Sequence, residues 1–324
     1  MKPMAWLRGF GCLGLVGLVL GCDAVLGGLE EGTRVASSGL DASLVESRDA
    51  SVAAPVCEGW LPGARFRRRV HLRSREALRA HPVRLSLDTA RLVREGKIQD
   101  ASRGLVFVSS GGARVPHVFD GPARTDAAPI YAAFDVDPGE TSAWVYYGGE
   151  AGAEPLGTDD VFVPRVLVDG AFANPGFKSW TPLPLGRGTG YEIRVEAGRA
   201  RFSMLGAGES ESFPVGLCQF ATFPPGRRYK LVYDAESESG PRQFRVTRNG
   251  LNGEPIGLLS DRLPARSLVA GPIPPGDALV CFVVQRLPIE TVVDLSIANV
   301  RVAPWADEEP GVVGIDPEEA CGAP

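Results

Sequence analysis

From residue 60 onward, apolar positions either alternate with polar ones or gather in runs of four or five, and the three-and-four spacing of an amphipathic helix is almost absent. Between Trp60 and Phe162 the pattern predicts five strands: Phe66-x-x-x-Val70-x-Leu72, Val83-x-Leu85-x-Leu87, Leu105–Val108, Ile130–Phe134 and Ala143–Tyr147. Glycine, proline and aspartate separate them, the punctuation of antiparallel strands. Only Thr89–Ile98 carries a helical period. A second series follows between Val163 and Pro304: Tyr191–Val195, Ala200–Leu205, Leu217–Phe220, Tyr229–Ala235, Gln243–Thr247, Leu279–Val284 and Val292–Val302. The prediction is an all-β chain of two domains, an antiparallel β-sandwich over 57–162 followed by a jelly-roll β-sandwich over 163–305.

The two ends depart from this pattern. Lys2 and Arg8 flank the start of an apolar run, Phe10–Leu20, that is short and glycine-rich. A membrane-spanning helix takes about 20 apolar residues, whereas a charged start, a short apolar core and small residues after it mark a secretory signal. The sequence that follows, Val19-Leu20-Gly21-Cys22, resembles the lipobox of bacterial lipoproteins, although Leu20 is bulkier than the residue usual there. The resemblance implies a signal over 1–22, acylation (palmitate among the chains) of Cys22, and attachment to a membrane of the bacterial cell envelope, at the outer membrane or cell surface rather than the inner membrane. An ordinary cleaved signal is the alternative. Residues 23–56, rich in Gly, Ser, Ala and acidic side chains, are expected to form a flexible tether. Residues 306–324, with Asp307-Glu-Glu-Pro310 and Asp316-Pro-Glu-Glu319, are expected to form a disordered acidic tail.

Composition changes the picture in two places. The formal charge of −5 becomes about −7 without Lys2 and Arg8, which excludes a general nucleic-acid binder. Of six cysteines, Cys12 leaves with the signal and Cys22 carries the lipid, leaving Cys57, Cys218, Cys281 and Cys321. An even number in an exported chain suggests two disulfides, for which three connectivities exist. Cys218 and Cys281 sit in strand-like runs of one predicted domain, and Cys57 and Cys321 in the flanks of the two domains. That placement favours Cys218–Cys281 and Cys57–Cys321.

Two further resemblances carry function. Trp60…Phe66-Arg67-Arg68-Arg69-Val70, His81-Pro82-Val83, Leu105–Val108, Val115-Pro116 and Trp144-Val-Tyr-Tyr-Gly148 resemble a β-sandwich domain of uncharacterised function found in secreted bacterial proteins. That domain opens on a Tyr-Arg-Arg type motif and closes on Tyr-Tyr-Gly-Asn; here Phe66 and Gly149 replace the tyrosine and the asparagine. The second block resembles carbohydrate-binding, galactose-binding-like jelly rolls through Val168-Asp-Gly-Ala-Phe172 with Trp180, Tyr229–Ala235 and Ile297–Val302. Such jelly rolls often hold calcium with acidic residues at positions that read Ala173 and Ala298 here. Calcium takes six to eight oxygen ligands, so no metal and no cofactor are expected.

Nucleophile elbows, zinc-protease helices and phosphate loops are absent from the sequence. His71, His81 and His117 have no partner at ligand spacing and are expected to be structural or surface residues. The arginines between Arg65 and Arg84 admit an acidic-polysaccharide patch, but on a strand Arg67, Arg69 and His71 share the face opposite Phe66, Val70 and Leu72, the pattern of a solvated outer face. Tyr191, Trp180 and Trp305 are the candidate sugar-stacking residues, although for Trp180 the resemblance favours core packing, the matching tryptophan of such jelly rolls being structural. The reading is a non-catalytic, membrane-anchored binding or adhesion lipoprotein directed at polysaccharide or envelope glycan. A structural lipoprotein with no small ligand and a glycan hydrolase are the alternatives.

Overall fold

The computed structural model describes residues 57–149, 158–174, 176–183, 191–204, 214–237, 243–258, 265–285 and 293–322; Cys22 and the tether 23–56 lie outside them. The first block forms β1 (Ala64–Ser74), β2 (Leu78–Leu87), α1 (Thr89–Arg94), β3 (Leu105–Ser109), β4 (Arg114–Val115), β5 (His117–Phe119), β6 (Ala128–Val136) and β7 (Gly139–Gly149). A single turn, α2 (Thr158–Val161), precedes the second block, which forms β8 (Thr181–Leu183), β9 (Tyr191–Glu196), β10 (Arg199–Met204), β11 (Pro214–Phe223) and β12 (Tyr229–Ser237). It continues with β13 (Gln243–Arg248), β14 (Glu254–Leu258), β15 (Ala265–Ile273), β16 (Gly276–Gln285) and β17 (Val293–Pro304). Two short strands follow, β18 (Gly311–Ile315) and β19 (Glu319–Ala320). No helix among the described residues is long and apolar enough to cross a membrane.

The first sandwich packs a sheet of order β18-β1-β7-β3-β4 on a smaller sheet, β2-β6-β5, all antiparallel. Strand alternation decides what lies between them: Val70 and Leu72 of β1, Val145 and Tyr147 of β7, Phe107 of β3 and Phe134 of β6 are buried together. Each such side chain contributes about 1.5–3 kcal/mol through burial. The helical period at Thr89 is realised as α1, whose first turn is capped by Asp88 Oδ1 accepting from Arg91 N at 2.8 Å.

The acidic segment 306–322 corrects the expectation of a disordered tail. It returns to the first sandwich, where β18 pairs with β1 from Val70 to Arg73 and β19 with Phe66 and Arg67. Composition alone misleads here, because the acidic side chains, though several stay half-exposed, meet basic partners on the first sandwich. Arg67 binds Glu319 (2.7 Å), His71 binds Asp316 (3.0 Å), Arg75 binds Glu308 (2.8 Å) and Lys97 binds Glu318 (2.5 Å). Tyr147 donates to the second Glu318 oxygen at 2.6 Å. The Cys57–Cys321 disulfide, with Cα atoms 5.8 Å apart, closes the clasp. The first sandwich is therefore built from both flanks of the second.

The second sandwich packs β15-β12-β17-β10-β9 on β14-β13-β16-β11-β8, a jelly roll around Phe202, Phe223, Tyr229, Tyr233 and Phe282. Cys218 and Cys281 stand directly opposite in β11 and β16 and form the second disulfide, Cα atoms 4.1 Å apart, on the outer face of that sheet. The segment before β8 is laid against β17, with Val300 N donating to Gly170 O at 2.9 Å. A Cβ on Gly170 would fall 2.0 Å from the Val300 carbonyl oxygen, so only glycine fits.

Between the sandwiches, Tyr131, Phe162, Val232 and Ala303 form a small apolar cluster. Buried Asp120 of the first sandwich accepts from Arg301 (2.8 Å) and Ser267 (2.6 Å) of the second. Glu309 of the returning segment reaches both His81 (3.0 Å) and Lys230 (2.5 Å). Burial works against ionisation of the Glu309 carboxyl, but those two hydrogen bonds outweigh it and hold its pKa below the usual range. Buried charges need such partners to be tolerated.

Candidate functional site: an aromatic cleft on the first sandwich

Because Val145 and Tyr147 of β7 point into the core, Trp144 and Tyr146 must point out. On the flanking strands, Arg69 and Arg67 of β1 stand opposite Trp144 and Tyr146, and Val108 and Val106 of β3 stand on their other side. The segment Cys57–Gly63 crosses this face. Trp60 N donates to Cys57 O (3.2 Å), turning the chain so that Leu61 packs on Val106 and Val108 and the Trp60 ring meets Tyr146 edge-on at 6.1 Å.

The result is a cleft of about 250 Å³ with Trp60, Trp144 and Tyr146 along one side and the β3–β4 turn, Ser109 to Gly112, along the other. That turn is closed by Ser109 N donating to Ala113 O at 2.8 Å and uses Gly112 at φ +84°, a left-handed conformation suited to glycine. Trp60 and Trp144 are half-buried, while Tyr146 is covered. The Arg67 guanidinium lies between the two tryptophans, 4.3 Å from one ring centre and 4.0 Å from the other, and Arg69 lies 4.6 Å from Trp144. Stacking of this kind contributes about 0.5–2 kcal/mol per contact and fixes the guanidinium plane. Burial disfavours the Arg67 charge, but Glu319 and the Tyr146 hydroxyl more than compensate. Chemically the cleft offers apolar ring surface, guanidinium N–H edges and the Ser109 and Ser110 hydroxyls. No cluster of three His, Cys, Asp or Glu residues suited to a metal exists among the described residues.

Of the sugar-stacking candidates, Trp180 and Trp305 have described side chains, in different surroundings. Trp180 is a core residue, 2% exposed, packed on Phe172 and Phe282 and donating from Nε1 to Asp169 O at 3.2 Å. Trp305 turns its ring onto Gly271 and donates to Asp307 at 3.0 Å, at the junction of the two sandwiches. Tyr191 begins β9 opposite Met204, and its side chain lies outside the described residues, as does Cys22. Ala173 is exposed and Ala298 buried; Asp169 accepts from Ala173 N at 2.7 Å. Of the histidines, His71 also reaches Glu140 (3.0 Å), His81 is fully buried, and His117 packs on Phe107, burial lowering its pKa. Sequence reasoning passed over Trp144 and Tyr146 as a family motif. Their two-residue spacing, opposite core positions Val145 and Tyr147, is the signal that marks an outward aromatic pair.

Two other grooves have no tryptophan in their walls. One, about 270 Å³ on the jelly roll, is walled by the ion pairs Arg201–Asp294 (2.7 Å) and Arg199–Glu236 (2.9 Å). The other, about 450 Å³ between the sandwiches, borders Phe162, which is buried and stacked with Arg301 at 5.0 Å.

No protein-family model and no curated protein matches the chain. Among solved structures, one described as "CBM4 structure and function" is similar to 40% of this chain over 97% of its own, at 14% identity and TM-score 0.28. The arabinose-bound MgGH51 α-L-arabinofuranosidase is similar to 43% of this chain at 13% identity and TM-score 0.29; the match spans about a quarter (26%) of that enzyme.

Proposed function

We propose that this chain is an exported, lipid-anchored binding protein of the bacterial cell envelope that holds glycan chains in the aromatic cleft of its first sandwich without transforming them. The Val19-Leu20-Gly21-Cys22 segment supports the anchor, and the two disulfides suit an oxidising compartment outside the cytoplasm. The observation that carries the binding assignment is the pair of half-buried tryptophans, Trp60 and Trp144, at one cleft with serine hydroxyls facing them. Sugar rings present apolar C–H faces to aromatic planes and hydroxyls to polar groups, and a cleft combining both is the arrangement such ligands use.

The test is a glycan array probed with the full chain and its Trp144→Ala variant. The proposal expects a defined set of oligosaccharides to bind, with the variant weakened at least tenfold, about the 1.4 kcal/mol that an aromatic contact supplies. Absence of glycan binding would leave a structural lipoprotein as the better account.

A further inference from the structure

We infer that the cleft selects anionic glycans, chains bearing uronate carboxylates or sulfate esters, with Arg69 and Arg114 as the residues that set this preference. The inference rests on the glycan reading above and adds the ligand's charge. Its basis is a row of four residues across four adjacent strands: Arg69 of β1 stands opposite Trp144 of β7, Trp144 opposite Val108 of β3, and Val108 opposite Arg114 of β4. Because Phe107 and Val115 are buried, Val108 and Arg114 lie on the same outer face as Trp144. Neighbouring strands are about 4.8 Å apart, so the two arginines flank the aromatic strip at roughly 14 Å, the span of a few sugar rings lying across it.

Charge pairing agrees with this placement. Other basic groups of β1 and β2 are matched: His71, Arg73, Arg79, His81 and Arg84 each have a carboxylate within 4.0 Å. Among the described residues no such ion pair involves Arg69 or Arg114. Of the acidic groups beside this face, Glu319 engages Arg67 at 2.7 Å, and Asp316, whose N–H donates to Arg69 O, turns its carboxylate to His71 at 3.0 Å. Both of those carboxylates are engaged elsewhere, which leaves Arg69 and Arg114 at the cleft without an acidic partner on a chain whose formal charge is −5. Stacked on Trp144, Arg69 keeps its plane fixed and its N–H edge free, the geometry that takes a carboxylate or sulfate through two parallel hydrogen bonds.

The experiment titrates the full chain with four probes: an oligogalacturonate, a sulfated galactan oligomer, a neutral galactan oligomer and a single-stranded oligonucleotide. The variants are Arg69→Gln/Arg114→Gln and, as a surface control, Arg124→Gln. The expected result is that at least one anionic glycan binds tenfold or more tighter than the neutral one. The double variant brings that probe down to the neutral level, and the control changes nothing; which anionic probe responds identifies carboxylate or sulfate. Equal binding of neutral and anionic glycans, insensitive to the double variant, overturns the inference and leaves the glycan reading standing. If no glycan binds, both fall. Arginine-dependent binding of the oligonucleotide alone reassigns the cleft to a different polyanion.

Discussion

Replacing both Cys57 and Cys321 by serine should be among the most destabilising changes that leave the core untouched. The bond joins residues 264 apart, and the Cys218–Cys281 bond within that span short-circuits 63 of them. The loop it closes in the unfolded chain is thus effectively about 200 residues long, for which the chain-entropy treatment gives about 5 kcal/mol. That is a large share of the roughly 5–15 kcal/mol that keeps a domain folded. Once its end is free the returning segment keeps only short pairings, two residue pairs in β19 and four in β18, and ion pairs that are mostly half-exposed. Equilibrium guanidinium unfolding of the wild type and the Cys57→Ser/Cys321→Ser variant, both without reductant, measures the loss directly. Amide exchange should accelerate across 57–63 and 311–322 before anywhere else. A loss below about 1 kcal/mol, or unchanged protection of those segments, would refute the idea that this bond closes the first sandwich.

Three further outcomes follow from particular contacts. Hydrogen bonding to Asp316 raises the His71 pKa, with burial opposing and Glu140 adding to it, so the stabilisation is fully present below pH 6.5 and is lost as pH rises through the folded value. Unfolding midpoints measured from pH 5.5 to 8.5 should show that fall in the wild type and not in His71→Gln. Gly170→Ala should cost about 3 kcal/mol by thermal melting, since the added carbon overlaps the Val300 carbonyl oxygen, whereas Gly314→Ala, with open space around it, should stay within about 0.5 kcal/mol. Cys22→Ser should move the protein from the membrane fraction to the soluble one and abolish acyl labelling; continued membrane attachment would defeat the lipid-anchor proposal.

Strands and disulfide partners were legible because their signals are local. A two-residue period fixes which side chains of β1 and β7 face inward, and a cysteine in an apolar run needs a partner in a neighbouring one. The returning segment was not legible. Gly311-Val-Val-Gly-Ile315 is too short to show a period, its partner lies some 240 residues upstream, and Asp316, Glu318 and Glu319 read as disorder until set against Arg67, His71 and Lys97. The site was half legible. The outward set of Arg67, Arg69 and His71 follows from alternation, and Trp144 and Tyr146 obey the same rule. That these two sets are neighbours is a matter of strand register, which no single stretch of sequence contains. Trp180 is the core residue that its place in the jelly-roll motif favours, although Phe282, which helps bury it, is 102 positions away.

The most direct test of the account is an amide-exchange footprint of the full chain with and without a saturating oligosaccharide identified on the array. Protection is expected to rise at 59–62, 108–112 and 144–146, the walls and floor of the aromatic cleft, while the jelly-roll strands β9, β10 and β17 stay unchanged. Protection confined to the jelly roll, with the cleft segments unaffected, would contradict it.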